Sequence, residues 1–340
     1  MPGKKTGTPR KKRSRKTSSH KPRRNKRPGA DSAMPLPLRD RRALEKTSFD
    51  LGRVLRQHEF GSIDEANEFL QQFIGAGGGQ FPTEPSTPLE QAQEKMYEAW
   101  DAAGRRRAKL AREALEICPD CADAYVLLAE ETARTPEEAL KLYQEGVRAG
   151  ERALGPKPFA DDVGHFWGIL DTRPYMRALA GAAECLVAIG EVAQATTHYR
   201  ELLRLNPGDN QGNRYMLAQL LLKQELDDEV ERLLNSYHED SAAWLYTRAL
   251  LEYRRRGPGK VATKALIKAF DQNRFVPLYL TAMKKPPRQL PGFMGIGDEN
   301  EAIHYFVDSV EGWLDTPGAL PWFVSVLADA VGESAESRPS

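Results

Sequence analysis

Beyond residue 87 the chain is a succession of segments in which apolar positions return every three or four residues, separated by short breaks rich in Pro, Gly and Asn. That spacing puts the apolar groups on one face of a helix. It predicts helices over 105–117, 122–132, 136–149, 175–189, 192–205, 210–224, 227–237, 241–254 and 260–271. Two shorter patterns over 49–60 and 63–74 precede them, the second with Ser62 and Glu65 as a capping box. Thr87-Pro88-Leu89-Glu90 and Thr135-Pro136-Glu137-Glu138 each set a hydroxyl at the N-cap, Pro in the first turn and Glu behind it, so both mark helix starts. Asp298 and Glu301 form a further capping box for a helix through Val310, and Trp313 to Leu327 read as a final apolar helix. Strand-type runs of Val, Ile and Thr are scarce, so the expected class is all-α.

The predicted helices come in pairs. First helices begin near Ala122, Tyr175, Asn210, Ala243 and Phe275, at separations of 53 and then 32–35 residues. A period near ~34 is the tetratricopeptide spacing. Ala124-Tyr125 and Leu128-Ala129 supply the aromatic, Leu and small residue where such a repeat puts them. Each pair leaves an apolar face that only the next pair can cover. The expected architecture is therefore a right-handed, tetratricopeptide-like solenoid with a concave interaction surface. The long first separation contains an insertion, Gly155 to Pro174, rich in aromatic and charged groups and expected to be a loop.

Charge divides the chain differently. The first thirty residues hold 13 Lys or Arg and no Asp or Glu, leaving 36 basic residues against 48 acidic in the remainder. The head of the chain cannot bury enough apolar surface to offset its entropy and is expected to be disordered and polyanion-seeking. Lys11, Lys12, Arg13, Arg15, Lys16, Arg23, Arg24, Lys26 and Arg27 are its candidate anion-binding residues. No aromatic side chain there stacks on a base, so nucleic-acid contact through it would be non-specific. The expected divisions are a basic tail at 1–40, a helical hairpin at 41–79, a Gly- and Pro-rich linker and helix start at 80–93, the repeat domain at 94–331 and a disordered end at 332–340. No apolar run suffices to span a bilayer, and three cysteines form no even disulfide framework. The expectation is a cytoplasmic protein, or a nuclear one if the source is eukaryotic.

Candidate chemistry is thin. Cys118-Pro119-Asp120-Cys121 has the spacing of half a zinc site or a redox pair, but it follows a helix at an inter-repeat turn and no second ligand pair accompanies it. Gly75 to Gly79 lacks the Lys-Ser/Thr of a phosphate loop. No catalytic residue, metal or cofactor is assigned. For partner binding, the polar and aromatic residues of the first helices and the insertion are the candidates: His165, Trp167, Arg173, Tyr175, Arg177, Asn210, Gln211, Asn213, Arg214 and Tyr215.

Three stretches carry a family likeness. Cys118 to Glu131, Asn273 to Leu280 and Gly297 to Tyr305, in that order within 94–322, resemble the suppressor of tumorigenicity seven family. The resemblance implies the helical-repeat fold and its extent, and brings no catalytic residues. Animal members carry membrane-spanning segments near the N-terminus that this sequence lacks, so membrane residence is not implied. The functional expectation is a non-enzymatic scaffold or adaptor for an unidentified protein or peptide. The alternatives are a nucleic-acid-associated factor led by its tail, and a zinc or redox protein using Cys118 and Cys121.

Overall fold

The computed structural model describes residues 40–56, 58, 60–75, 85 and 87–336. Among the described residues there are sixteen α-helices, three short 3-10 turns and no strand. The nine tail cations, most of the 80–93 linker's first half and residues 337–340 lie outside the described residues.

A 3-10 turn at Arg41–Leu44 leads into α1 (Glu45–Arg56), followed by α2 (Ile63–Gly75). Five pairs come next: α3 (Pro88–Asp101) with α4 (Arg105–Ile117); α5 (Ala122–Thr132) with α6 (Pro136–Leu154); after the short α7 (Pro156–Asp161), α8 (Arg173–Ala188) with α9 (Val192–Leu205); α10 (Asn213–Lys223) with α11 (Asp227–Ser236); and α12 (Ala242–Arg256) with α13 (Lys260–Gln272). The chain continues through α14 (Val276–Leu280), α15 (Glu299–Asp315) and α16 (Ala319–Glu336). From α3 to α6 and from α8 to α13, each helix packs on the next along the chain, and α6 packs on α8. First helices α3, α5 and α8 also touch in sequence, as do α10 and α12, so they form a row.

Glycines set the spacing at the α6–α8 junction. A Cβ on Gly150 of α6 would lie 2.9 Å from the Tyr175 Cβ, and one on Gly181 of α8 would overlap the Tyr143 ring. The helices approach this closely because those side chains are absent. Apolar burial falls in two clusters, one joining Met96, Trp100, Leu110 and Leu127, the other running from Met176 through Leu202, Leu221 and Tyr246 to Trp313 and Phe323.

Several boundaries depart from the sequence expectation. The helix expected to stop at Ala149 runs on to Leu154, because Gly150 serves the packing against Tyr175 and does not break the helix. The expected 210–224 helix starts at Asn213, since Asp209 turns its carboxylate onto the backbone N–H groups of Asn213 and Arg214. The 155–174 insertion is not a plain loop: it holds α7 and two 3-10 turns, at Phe166–Gly168 and Leu170–Thr172. Trp313 lies in the last turn of α15, and Thr316-Pro317-Gly318, with Gly318 at φ +76°, separates that helix from α16. That last helix extends to Glu336, into the stretch expected to be disordered.

α1 and α15, on either side of the pairs, pack on the row of first helices. A sixth pair is not completed: α14 stops after five residues, a Pro- and Gly-rich coil follows, and α15 packs on α10 and α12. The 3-10 turn and α1 pack on the row as well. Ala43 and Phe49 are buried in the cluster of Tyr97 and Trp100, which places the 3-10 turn and α1 on α3. No described helix is long and apolar enough to cross a membrane.

Candidate functional site

Asp123 lies in the first turn of α5, where a carboxylate favours the helix N-terminus. Its side chain is fully buried, so its charge needs partners. Arg177 of α8 provides two: Nε donates to Oδ1 at 2.8 Å and Nη2 to Oδ2 at 2.7 Å. Gln93 of α3 adds a third through Nε2 at 3.0 Å. One carboxylate thus ties three successive first helices. Arg177 also donates from Nη1 to Glu45 of α1 at 3.1 Å and lies 5.6 Å from the centre of the Trp100 ring. Burial works against the charge of Arg177, but Asp123 and then Glu45 outweigh it and hold the guanidinium protonated.

Arg173, one turn earlier on α8, donates to Glu45 at 3.0 Å and to the Trp167 carbonyl at 2.8 Å, with its guanidinium over the Trp167 ring. Tyr175 is buried, its ring edge-on to Phe159 of the insertion. His165 is exposed and Trp167 half-buried. Of the insertion's aromatic groups, Phe159 and Phe166 therefore face inward with Tyr175, while His165 faces solvent.

The 210–215 candidates form a second group around α10. Asp209, at φ +46°, accepts from the N–H groups of Asn213 at 2.7 Å and Arg214 at 3.0 Å, and from Arg214 Nη1 at 2.9 Å. Arg214 reaches on to Glu239 at 2.8 Å and lies 4.4, 5.1 and 5.7 Å from the ring centres of Tyr215, Tyr237 and Trp244. The Tyr215 hydroxyl donates to the same Glu239 carboxylate at 2.9 Å; burial first, and then Glu239, push it up to about 12. Asn213 is buried, Gln211 donates to the Met176 carbonyl at 3.4 Å, and Asn210 is exposed. The structure brings Arg214, Tyr215 and Asn213 together at Asp209, and Arg173, Tyr175 and Arg177 together at the insertion. Most of their polar atoms are engaged within the chain.

Sequence reasoning passed over the residues that organise the first group, Glu45, Gln93, Trp100 and Asp123. The usable signal was Asp123 in an otherwise apolar first turn, a charge that burial obliges to be paired. α1 and the 3-10 turn before it show the same charge matching. Lys46 and Arg53 pair with Glu94 of α3, at 2.8 Å in each case. Arg42 pairs with Glu130 of α5 at 2.7 Å, and Arg56 pairs with Glu90 at 3.3 Å.

Cys121 is buried at the N-cap of α5, its thiol 3.9 Å from Gln93 Oε1. Burial, then the Asp123 charge, push the thiol up, so it stays protonated; metal binding and redox attack need the thiolate. Cys118 is half-buried and Cys185 buried on α8. Among the described residues no group of three or more His, Cys, Asp or Glu is gathered to hold a metal.

Comparison with known proteins follows the same region. A family model described as ST7 protein matches residues 81–332, from just before α3 into α16. The chain is 31% identical over 252 residues to a suppressor of tumorigenicity 7 protein-like from Homo sapiens, covering 66% of this chain and 43% of the relative. The corresponding Gallus gallus protein is 29% identical over 252 residues, covering 66% and 45%. A suppressor of tumorigenicity 7 protein from Rattus norvegicus is 29% identical over 232 residues, covering 61% and 40%. The chain thus spans less than half the length of these curated relatives. The three stretches singled out in the sequence all lie inside the matched region, and the chain belongs to the ST7 protein family.

Proposed function

We propose that this chain is a non-enzymatic protein-interaction scaffold whose row of first helices is its binding face. The observation that carries this reading is the use the row already makes of its polar side chains. Glu90, Glu94, Arg173 and Arg177 hold α1, Glu130 holds Arg42 of the turn before it, and the row's Ala242 N–H holds Glu301 at the start of α15. A face that recognises helices by charge and ring contacts is suited to a protein or peptide partner. Cys121, protonated and shut in, supports no chemistry in this reading. Its setting is cytoplasmic.

The 13 cations of the first thirty residues favour a second activity, attachment to an anionic polymer such as nucleic acid through counterion release. Affinity capture separates the two. The baits are the full chain and a form with Lys11, Lys12, Arg13, Arg15, Lys16, Arg23, Arg24, Lys26 and Arg27 changed to Gln, each with and without nuclease. Stoichiometric recovery of a protein by the neutralised form despite nuclease is the expected result. Recovery of only nuclease-sensitive material, and only with the cations present, would replace the scaffold reading with the nucleic-acid one.

A further inference from the structure

The contact between α1 and the row is polarised. Its cations Lys46, Arg53 and Arg56 meet carboxylates of α3, and Arg42 of the turn before it meets Glu130 of α5, while Glu45 meets Arg173 and Arg177 of α8. Glu45, Phe49 and Arg53 stand at i, i+4 and i+8, one stripe of a helix. Phe49 is the stripe's apolar anchor, 5.4 Å from the Tyr97 ring. The fit is incomplete: a partly open pocket of about 220 Å³ remains beside it, bordered by Phe49, Leu89, Tyr97 and Tyr175 and by the charged Glu90 and Asp171. Nearby, the buried Trp100 indole N–H has no hydrogen-bond partner among the described residues. α1 also precedes the family-matched region 81–332, whereas the groove it occupies lies within that region.

We propose that the groove of α3, α5 and α8 receives an amphipathic helix of a partner protein carrying an acid, a bulky aromatic and a base at i, i+4 and i+8, and that α1 is the internal stand-in for it. The proposal rests on the interaction reading above and names its partner chemistry. A second copy's α1 is not the intended occupant, because it carries the same Phe49, leaves the same cavity and competes against an α1 already present in the same chain at high effective concentration. A side chain larger than Phe gains the unfilled volume, and the ion pairs, half-buried or buried at Glu45–Arg177 and Arg53–Glu94, set orientation and exclude helices of the wrong charge order.

The test uses a labelled peptide of residues 40–56 bearing Phe49→Trp, followed by fluorescence anisotropy with full-length protein. The double variant Glu45→Lys/Phe49→Ser, which loosens α1, should bind this peptide at least about tenfold tighter than the unaltered chain does. Adding Glu94→Lys should remove the gain, and so should salt near ~1 M. A double variant with unaltered circular dichroism that binds no peptide would overturn the proposal. Equal binding of the unsubstituted peptide would point to exchange between copies and overturn the partner assignment.

Should the double variant not fold, hydrogen exchange on the unaltered chain decides. Amides of α1 should exchange faster than those of α5 and α8, and faster again with saturating Trp peptide. Protection equal to that of α8 would make α1 part of the cooperative core and end the proposal. If the peptide fails to bind while the scaffold capture succeeds, and Glu94→Lys leaves that capture intact, the groove is misassigned and the interaction reading stands. Peptide binding without any captured protein would be the converse.

Discussion

Asp123 and Arg177 meet through two hydrogen bonds of 2.8 and 2.7 Å that join α5 to α8, with the carboxylate closed off from solvent. Gln93 completes the carboxylate from α3, and Glu45 caps the guanidinium from α1. The pair is thus both the buried joint of the first three repeats and the floor on which α1 rests. This dual role explains why an arginine that looks from the sequence like a binding-face residue is nearly buried.

Removing one member leaves the other charged and buried. Arg177→Met is expected to cost about 3–5 kcal/mol of folding free energy, the usual range for breaking a buried pair from one side. Asp123→Asn/Arg177→Met should recover part of that loss, because no unpaired charge remains. Urea unfolding followed by circular dichroism gives both numbers. A single variant within about 1 kcal/mol of the parent would contradict the buried pairing.

Glu301 fixes α15 in the same way. One carboxylate oxygen accepts from the Ala242 N–H at the start of α12 at 2.8 Å; the other accepts from the Gly297 N–H at 2.7 Å and Asn273 Nδ2 at 2.9 Å. Gln at this position would turn an amino group toward donors, so Glu301→Gln should destabilise by about 1.5–3 kcal/mol. The neighbouring Glu299→Gln keeps an acceptor oxygen for the Tyr279 hydroxyl and otherwise alters a half-exposed pair with Lys284, so it should stay within about 0.5 kcal/mol. Equal melting temperatures for the two variants would count against the triple acceptor.

Helix starts were legible in the chain wherever a side chain signals them locally. Thr87, Thr135 and Asp298 each accept from the N–H three residues on, as their capping patterns predict. What stayed hidden depends on residues far apart in sequence. Asp123 and Arg177 are 54 positions apart, and Glu45 and Arg177 are 132 apart, so no periodicity announces their contact. Gly150 reads as a breaker because the need for closeness to Tyr175 appears only after α6 and α8 pack. Likewise, the return of α1 and α15 to the first-helix row is a tertiary choice: amphipathicity says that a face must be covered, and the pairing of individual charges decides where.

Gly181 tests the close approach of α6 and α8 directly. A methyl group there would overlap the half-buried Tyr143 ring. Gly181→Ala should cost about 1–3 kcal/mol despite its better helix propensity. Tyr143→Leu in the same chain should reduce that penalty, whereas Gly168→Ala, where the new methyl meets open space, should be nearly neutral. A double-mutant cycle on Gly181 and Tyr143 with no coupling energy would show that the helices do not meet as described.

Asp40 supplies a pH signature for the attachment of the N-terminal turn. Its carboxylate accepts from the Arg42 N–H at 3.1 Å, from Arg42 Nε at 3.0 Å and Nη2 at 2.7 Å, and from Arg107 Nη2 of α4 at 2.9 Å. Burial would raise its pKa, but the hydrogen bonds and charge of Arg42, aided by Arg107, prevail and lower it from 3.8 to about 2. The folded value lies below the unfolded one, so the stabilisation is complete above the unfolded pKa and is lost as pH falls through the folded pKa. The stability difference between the parent and Asp40→Asn should therefore be constant from neutral pH down to about 5 and shrink between about pH 4 and 2. Unfolding curves across that range would measure it, and a difference that grew on acidification would reverse the assigned role of Asp40.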